Sequence, residues 1–161
     1  MIIYEFLKNK GILEKLVNNE LIDVGSGDGS HGKEFEAHGF KVSYIEKENG
    51  LDAITYDFPK NTYGIAVARN SLPFMGKDQY KVISKIYSSL KRRGYFYGTV
   101  FGKEEPWAKK RIITPIDFKK LRKHFKRLGF EILWEGEEKG IGRALNGEIK
   151  LWHIFKFLCK K

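Results

Sequence analysis

Apolar and polar positions along this chain switch between a helical and a strand period, and the switches mark out its elements. Residues 2–18 place Ile3, Phe6, Leu7, Leu13, Leu16 and Val17 at helical spacings, with Gly11 as a weak point, and predict a leading amphipathic helix. The apolar run 21–25 predicts a buried strand; a helix is expected from about Gly32 to His38, ended by Gly39 as C-cap, and a second strand over 41–46. Gly64-Ile65-Ala66-Val67-Ala68 is uncharged, which suits a strand buried on both faces. From Asp78 to Lys91 the apolar positions Val82, Ile83, Ile86, Tyr87 and Leu90 predict a helix that stops at a Lys91-Arg92-Arg93-Gly94 turn, before a strand at about 95–101. Phe118, Leu121, Phe125 and Leu128 then fall at i, i+3, i+7 and i+10, one apolar stripe on a helix from about Pro115 to Leu128. The chain closes with a strand from Phe130 to Trp134, a Gly/Glu/Lys-rich connection and a strand over 149–158.

Helices alternating with strands argue for an α/β fold built on a mostly parallel sheet. The last two strands have no helix between them, so they must be antiparallel neighbours. One step is irregular. Between Glu46 and the next strand candidate, Leu51 to Thr55, lie only Lys47, Glu48, Asn49 and Gly50, whereas a helical crossover between parallel strands takes about a dozen residues. That strand is therefore short and reached by a bare loop, or absent. At 161 residues, without repeats or a low-complexity linker, the chain 1–161 reads as a single domain.

The candidate chemistry sits where the first strand ends. Leu21-Ile22-Asp23-Val24-Gly25-Ser26-Gly27-Asp28-Gly29 is a strand running into a turn with glycines at alternate positions, which permit positive φ and close approach of a ligand. The second strand ends in Glu46, and an acid at that tip can hold the two hydroxyls of a nucleoside ribose. A nucleoside cofactor is thus expected. Gly27-Asp28-Gly29-Ser30-His31-Gly32 has the G-x-G-x-x-G spacing of dinucleotide sites, but counted from the glycine that follows the strand, Gly25, the third glycine position falls on Ser30, so the register fits NAD or FAD poorly. The pattern D-x-G-x-G-x-G from Asp23 resembles motif I of class I S-adenosylmethionine (SAM) dependent methyltransferases, with Glu46 matching the acid at the end of their second strand.

That resemblance implies a Rossmann-like sheet of family order 3-2-1-4-5-7-6, with strand 3 short or absent here. It implies SAM held by Asp23, Gly25, Ser26, Gly27, Gly29 and Glu46. Carboxylates near the loop suit a ligand that carries an ammonium and a sulfonium. An acid contacting adenine follows strand 3 in such folds; Asp52 and Asp57 are both eligible, and Asp57, with Phe58 beside it, is favoured because it lies just past the strand candidate, at the carboxyl end where ligands bind. Phe101-Gly102-Lys103-Glu104-Glu105-Pro106-Trp107-Ala108 and Leu145-Asn146-Gly147 to Trp152-His153-Ile154-Phe155 resemble segments of the tellurite-resistance methyltransferase group.

The same carboxyl-end rule nominates Arg69 and Asn70 as substrate contacts, and Trp107 as either a lid over the pocket or a hydrophobic clamp on its own loop. Arg69-Asn70-Ser71-Leu72-Pro73-Phe74 departs from the N/D-P-P-Y/F motif of amino-methylating nucleic-acid enzymes, being one residue too long and lacking the first proline. His31 is a candidate neighbour of the methionine end of SAM, and His153 a packed strand residue. No catalytic base stands out, which favours an acceptor that needs little proton removal, such as a thiol or a metalloid oxyanion. Small-molecule methyl transfer is the expected function; an RNA methyltransferase and a non-catalytic SAM-binding or partner subunit are the alternatives.

Charge and cysteine usage adjust this picture. Lys and Arg total 30 against 20 Asp and Glu, a net charge of +10, and helix 115–128 concentrates Lys119, Lys120, Arg122, Lys123, Lys126 and Arg127. The ordinary reading is a solvated helix face; the sharper one is attraction of an anionic partner such as RNA. Cys159 is the single cysteine, excluding an internal disulfide, and the four histidines lack zinc spacing, so no metal is expected. Without a signal-peptide pattern or a run of about 20 apolar residues, a cytoplasmic protein with no membrane span is expected.

Overall fold

The computed structural model describes residues 2–144 and 146–161. In chain order the elements are α1 (Ile3–Asn9), β1 (Glu20–Val24), α2 (Ser30–Glu36), β2 (Lys41–Ile45), β3 (Tyr63–Ala68), α3 (Gln79–Ser89), β4 (Leu90–Phe101), α4 (Pro106–Lys109), α5 (Phe118–Leu128), β5 (Glu131–Arg143) and β6 (Ile149–Lys160). The strands form one sheet in the order β2-β1-β3-β4-β6-β5. β2, β1, β3 and β4 are parallel, and β6 runs antiparallel to both β4 and β5.

Alternation along the central strands builds two cores. Ile22, Val24, Ala66, Ala68, Phe96 and Val100 point to the face covered by α3 and α5, whose Val82, Ile83, Ile86, Leu121 and Phe125 are buried against them. Leu21, Ile65, Val67, Tyr95 and Tyr97 point to the other face, under Ile3 and Leu7 of α1 and Phe35 of α2. β3 is buried at every position, as its uncharged sequence requires.

Four expectations are corrected, and one alternative left open, a short or absent strand after β2, is decided. The leading helix is broken at Gly11, which adopts φ +64°: α1 ends at Asn9 and only a 3-10 turn, Leu13–Lys15, follows. The strand candidate at 51–55 is a turn, so the connection from β2 to β3 carries neither strand nor crossover helix, only the 3-10 turn Lys47–Asn49. The expected turn at 91–94 lies inside β4, which opens at Leu90 with a register shift against β3 and a bulge where Arg93 takes φ +68°. The Gly/Glu/Lys-rich connection is strand: β5 pairs with β6 from Glu131–Lys160 out to Arg143–Ile149, and this pairing outweighs the low strand propensity of its residues. The basic helix begins at Phe118, the first residue of its apolar stripe and three residues later than the expected start at Pro115, because the Asp117 side chain accepts from the Lys119 and Lys120 amides and caps it.

β4 stops at Phe101, paired with Ile154, while β5 and β6 continue together for five more residues each. The hairpin therefore projects past the carboxyl edge of the parallel strands. No helix among the described residues is long and apolar enough to cross a membrane.

Candidate functional site

The carboxyl ends of β1, β2 and β3 meet at the glycine turn. β1 delivers Asp23, 2 % exposed, directly beneath it. Gly25, Gly27 and Gly29 take φ of +70°, +55° and +72°, a run of left-handed positions that glycine adopts without strain. The Ile45 carbonyl at the tip of β2 accepts from the amides of Gly25 at 2.7 Å and Ser26 at 3.3 Å. Next to it, Glu46 Oε2 accepts from the Gly27 amide at 2.6 Å. The turn is thus anchored to the acid that was expected to hold a ribose.

Two features of this corner suit a ligand. A Cβ at Gly27 would meet no atom within 4 Å, so the outer side of the turn is open. Asp23 Oδ2 is buried and finds no hydrogen-bond partner among the described residues. Burial, reinforced by the charges of Glu46 and Asp28 and opposed by the Gly32 amide, pushes the Asp23 carboxyl up to about 7. A cationic ligand group would restore its ionised form.

The segment after β3 is tied into the same corner. Ser71 Oγ donates to the Val24 carbonyl at 2.6 Å, and its side chain occupies the space that a Cβ on Gly25 would need. Asn70 adopts φ +56°, a conformation asparagine tolerates, and is fixed by Thr99 of β4: the Asn70 amide donates to Thr99 Oγ1, which donates to Asn70 Oδ1, both at 2.7 Å. This turn sends Arg69 into solvent, where Nη1 donates to His31 Nε2 at 2.5 Å. Burial first, and then the Arg69 charge, lower the His31 pKa, so the ring is held as a neutral acceptor. Arg69, Asn70 and His31 therefore share one rim with the glycine turn. Neither Thr99 nor Ser71 is distinguishable in the sequence from an ordinary strand or loop hydroxyl.

Asp52 and Asp57 lie on the β2–β3 connection. The Leu51 amide donates to the Glu46 carbonyl at 3.1 Å, which keeps this stretch beside Glu46. Asp52 Oδ1 accepts from the Ile54 amide at 2.8 Å. Asp57 is exposed, whereas Phe58 is buried in the core under α3, with the Lys85 ammonium 4.9 Å from its ring centroid.

Trp107 stands farther along the same edge. Its ring packs against Phe74, Phe101 and Trp152 with centroids 5.7–6.4 Å apart, and Nε1 donates to Glu148 Oε2 at 3.1 Å. These contacts describe a clamp between α4 and the projecting hairpin. Inside the clamp, Lys150 is ion-paired with the fully buried Glu105, and its ammonium lies 3.5 Å from the Trp152 ring centroid and 4.1 Å from that of Trp107. Glu105 also accepts from the His153 amide at 3.1 Å. His153 is buried, with Nδ1 accepting from the Glu104 amide and Nε2 donating to Glu137. A cavity of about 580 Å³ lies beside it, against Phe118 and Lys119 at the start of α5, and does not include the glycine turn. Cys159 is buried and its thiol pKa is pushed up by that burial, which makes it a poor nucleophile. No group of three or more His, Cys, Asp or Glu among the described residues is placed to hold a metal ion. Of the C-terminal segment that resembles the tellurite-resistance group, Leu145 lies outside the described residues.

No protein-family model and no curated protein matches the chain. Solved structures do. A SAM-dependent methyltransferase from Archaeoglobus fulgidus superposes with TM-score 0.71 at 13% identity, over 99% of this chain and 93% of that one. One from Methanosarcina mazei gives 0.69 at 18% identity, over 93% and 96%. TehB from Haemophilus influenzae gives 0.74 at 14% identity, over 96% of this chain and 61% of its own. The [4+2]-cyclase SpnF also matches, with TM-score 0.67 at 17% identity, over 89% of this chain and 74% of that chain. The sheet order is the one expected from the resemblance with strand 3 removed, and the chain has the fold of the class I SAM-dependent methyltransferases.

Proposed function

We propose that this protein transfers a methyl group from SAM to a small-molecule acceptor. The observation that carries the reading is the open, positive-φ glycine turn set over the buried Asp23, whose Oδ2 has no partner among the described residues, and tied to Glu46 at the tip of β2. Asp23, Gly25, Ser26, Gly27, Gly29 and Glu46 would hold the cofactor, with Asp52 or Asp57 on the adenine side and Phe58 packed beneath that stretch. SAM, when bound, supplies a methyl group already activated on sulfur. The share left to the chain is placement: it must bring a nucleophile in line with that methyl, for which positioning alone can provide much of the acceleration.

Arg69 and Asn70 are the proposed acceptor contacts, and Trp107 the fixed aromatic wall beyond them. Arg69 has no carboxylate within 4 Å among the described residues, so this rim favours an acceptor with an anionic group. A thiol or a metalloid oxyanion fits the Arg69 rim, where His31 faces a guanidinium and not a carboxylate that would make it a base. Incubation with methyl-labelled SAM and a panel of thiols and metalloid oxyanions tests this. Label transfer that falls on Arg69→Gln supports the reading, whereas transfer to none of the panel contradicts the acceptor class.

One feature favours a second reading, an RNA methyltransferase. Lys119, Lys120, Lys123, Lys126 and Arg127 are exposed on α5 and, unlike Arg122 with Glu135, have no acidic partner within 4 Å among the described residues. RNA binding whose logarithm falls steeply and linearly with the logarithm of salt concentration would support it. Cofactor binding with no acceptor turned over would instead support a non-catalytic partner subunit.

A further inference from the structure

We infer that Lys85 of α3 is a positioning residue for the adenine side of the cofactor site, acting through the turn at residues 52–56; the inference rests on the SAM reading. β2 is the edge of the sheet, so the 17 residues between it and β3 have no neighbouring ladder to satisfy their peptide groups. The amides of Asn61 and Thr62 reach the Ser88 and Ser89 carbonyls at the end of α3, whereas those of Ile54, Thr55 and Tyr56 are satisfied locally. The Asp52 carbonyl accepts from the amides of Thr55 at 3.1 Å and Tyr56 at 2.8 Å, and the Asp52 side chain accepts from the Ile54 amide, closing a single helical turn. The next two carbonyls, of Ala53 and Ile54, are taken by Lys85 Nζ at 3.0 and 3.1 Å.

Lys85 thus spends its ammonium protons on main-chain carbonyls, with no carboxylate within 4 Å among the described residues, and rests on the Phe58 ring. Ala53 within the turn and Phe58 two residues past it are buried in the core shared with Val82 and Ile86 of α3. The turn follows Glu46 directly through the Leu51–Glu46 hydrogen bond, and Asp52 and Asp57 bracket it. A ligand held at Glu46 by its ribose presents its base to this stretch. Lys85 does for the stretch what a third strand would otherwise do: it takes up two of its main-chain carbonyls and so fixes the turn beside the proposed base site.

The test compares S-adenosylhomocysteine with S-inosylhomocysteine, which lacks the 6-amino group, by calorimetry on the full chain. The wild type is expected to prefer the adenine ligand by about tenfold or more, and Lys85→Met, which keeps the aliphatic stem, to weaken adenine-ligand binding about tenfold and bring the preference close to one. Lys85→Arg, which keeps two donors, is expected to recover most of the preference. Amide exchange at Ile54 to Tyr56 is expected to quicken in Lys85→Met while exchange in β3 does not change. An unchanged preference in Lys85→Met, or an equal loss for both ligands, overturns the inference. If Lys85→Met does not fold, Lys85→Gln, which reaches at most one carbonyl, takes its place with the same criterion. Absence of binding of either ligand to the wild type overturns the cofactor reading itself, and is a distinct outcome from wild-type binding without a Lys85 effect.

Discussion

At Gly25 a Cβ would fall inside the Ser71 side chain, whereas at Gly27 it would meet open space, although both residues have positive φ. The two glycines therefore answer to different demands. Gly25→Ala carries the left-handed penalty and displaces Ser71, a loss of about 2–4 kcal/mol of stability. Gly27→Ala carries only the left-handed penalty, about 1 kcal/mol, but fills the side of the turn left for a ligand. Chemical denaturation and S-adenosylhomocysteine titration of the two variants should separate them: stability falls mainly in the first, affinity in the second. Wild-type affinity in Gly27→Ala would remove the ligand from that side of the turn.

Asp23 makes a pH prediction at the same scale. Its carboxyl is raised from 3.8 to about 7 in the folded chain. An unfolded chain ionises near 4 while the folded one keeps its proton, so stability is full below pH 4, falls between pH 4 and 7 by at most about 1.4 kcal/mol per pH unit, and levels off above 7. Asp23→Asn is expected to flatten that slope in urea titrations from pH 4 to 8. Cofactor binding that restores the carboxylate should release a proton below pH 7, measured as a dependence of binding enthalpy on the ionisation heat of the buffer. A slope unchanged in Asp23→Asn would assign the titration to another group.

At the scale of elements, the projecting β5–β6 hairpin depends on a buried charge. Glu105 and Lys150 are 0 % and 5 % exposed, and each satisfies the other. Removing one partner, as in Glu105→Gln or Lys150→Met, leaves the other uncompensated and is expected to cost about 3–5 kcal/mol, with the double variant costing less than the sum. Thermal and urea unfolding of the three variants forms the double-mutant cycle; additive losses would mean that the pair does not hold α4 to the hairpin. α5 was legible from apolar spacing, because it buries a regular stripe, and β3 from its uncharged run, because it is buried at every position. β5 was legible only to Trp134, because Gly136, Glu137, Lys139 and Gly140 lack a strand pattern and are strand only through β6. Gly11 marked the break in the leading helix but not its consequence, that the second half would be a single 3-10 turn.

Across the whole molecule, the departure seen in the sequence between Glu46 and Leu51 proved to be the loss of one strand and one crossover, with the remaining order intact. The cofactor corner was legible because glycines, acids and strand ends are local in sequence. Ser71, Thr99 and Lys85 were not, since their partners lie 47, 29 and 31 to 32 residues away and only the fold brings them together. The fold supports cofactor binding more directly than it supports a reaction, for SpnF, a cyclase, shares it. Calorimetric titration of the purified protein with SAM, S-adenosylhomocysteine and NAD, beside Glu46→Ala, is therefore the most direct measurement. Binding of the first two in the micromolar range, none of NAD, and a loss on the order of 100-fold in Glu46→Ala is the predicted result. Failure to bind SAM and its product, or an affinity indifferent to Glu46, would contradict the account.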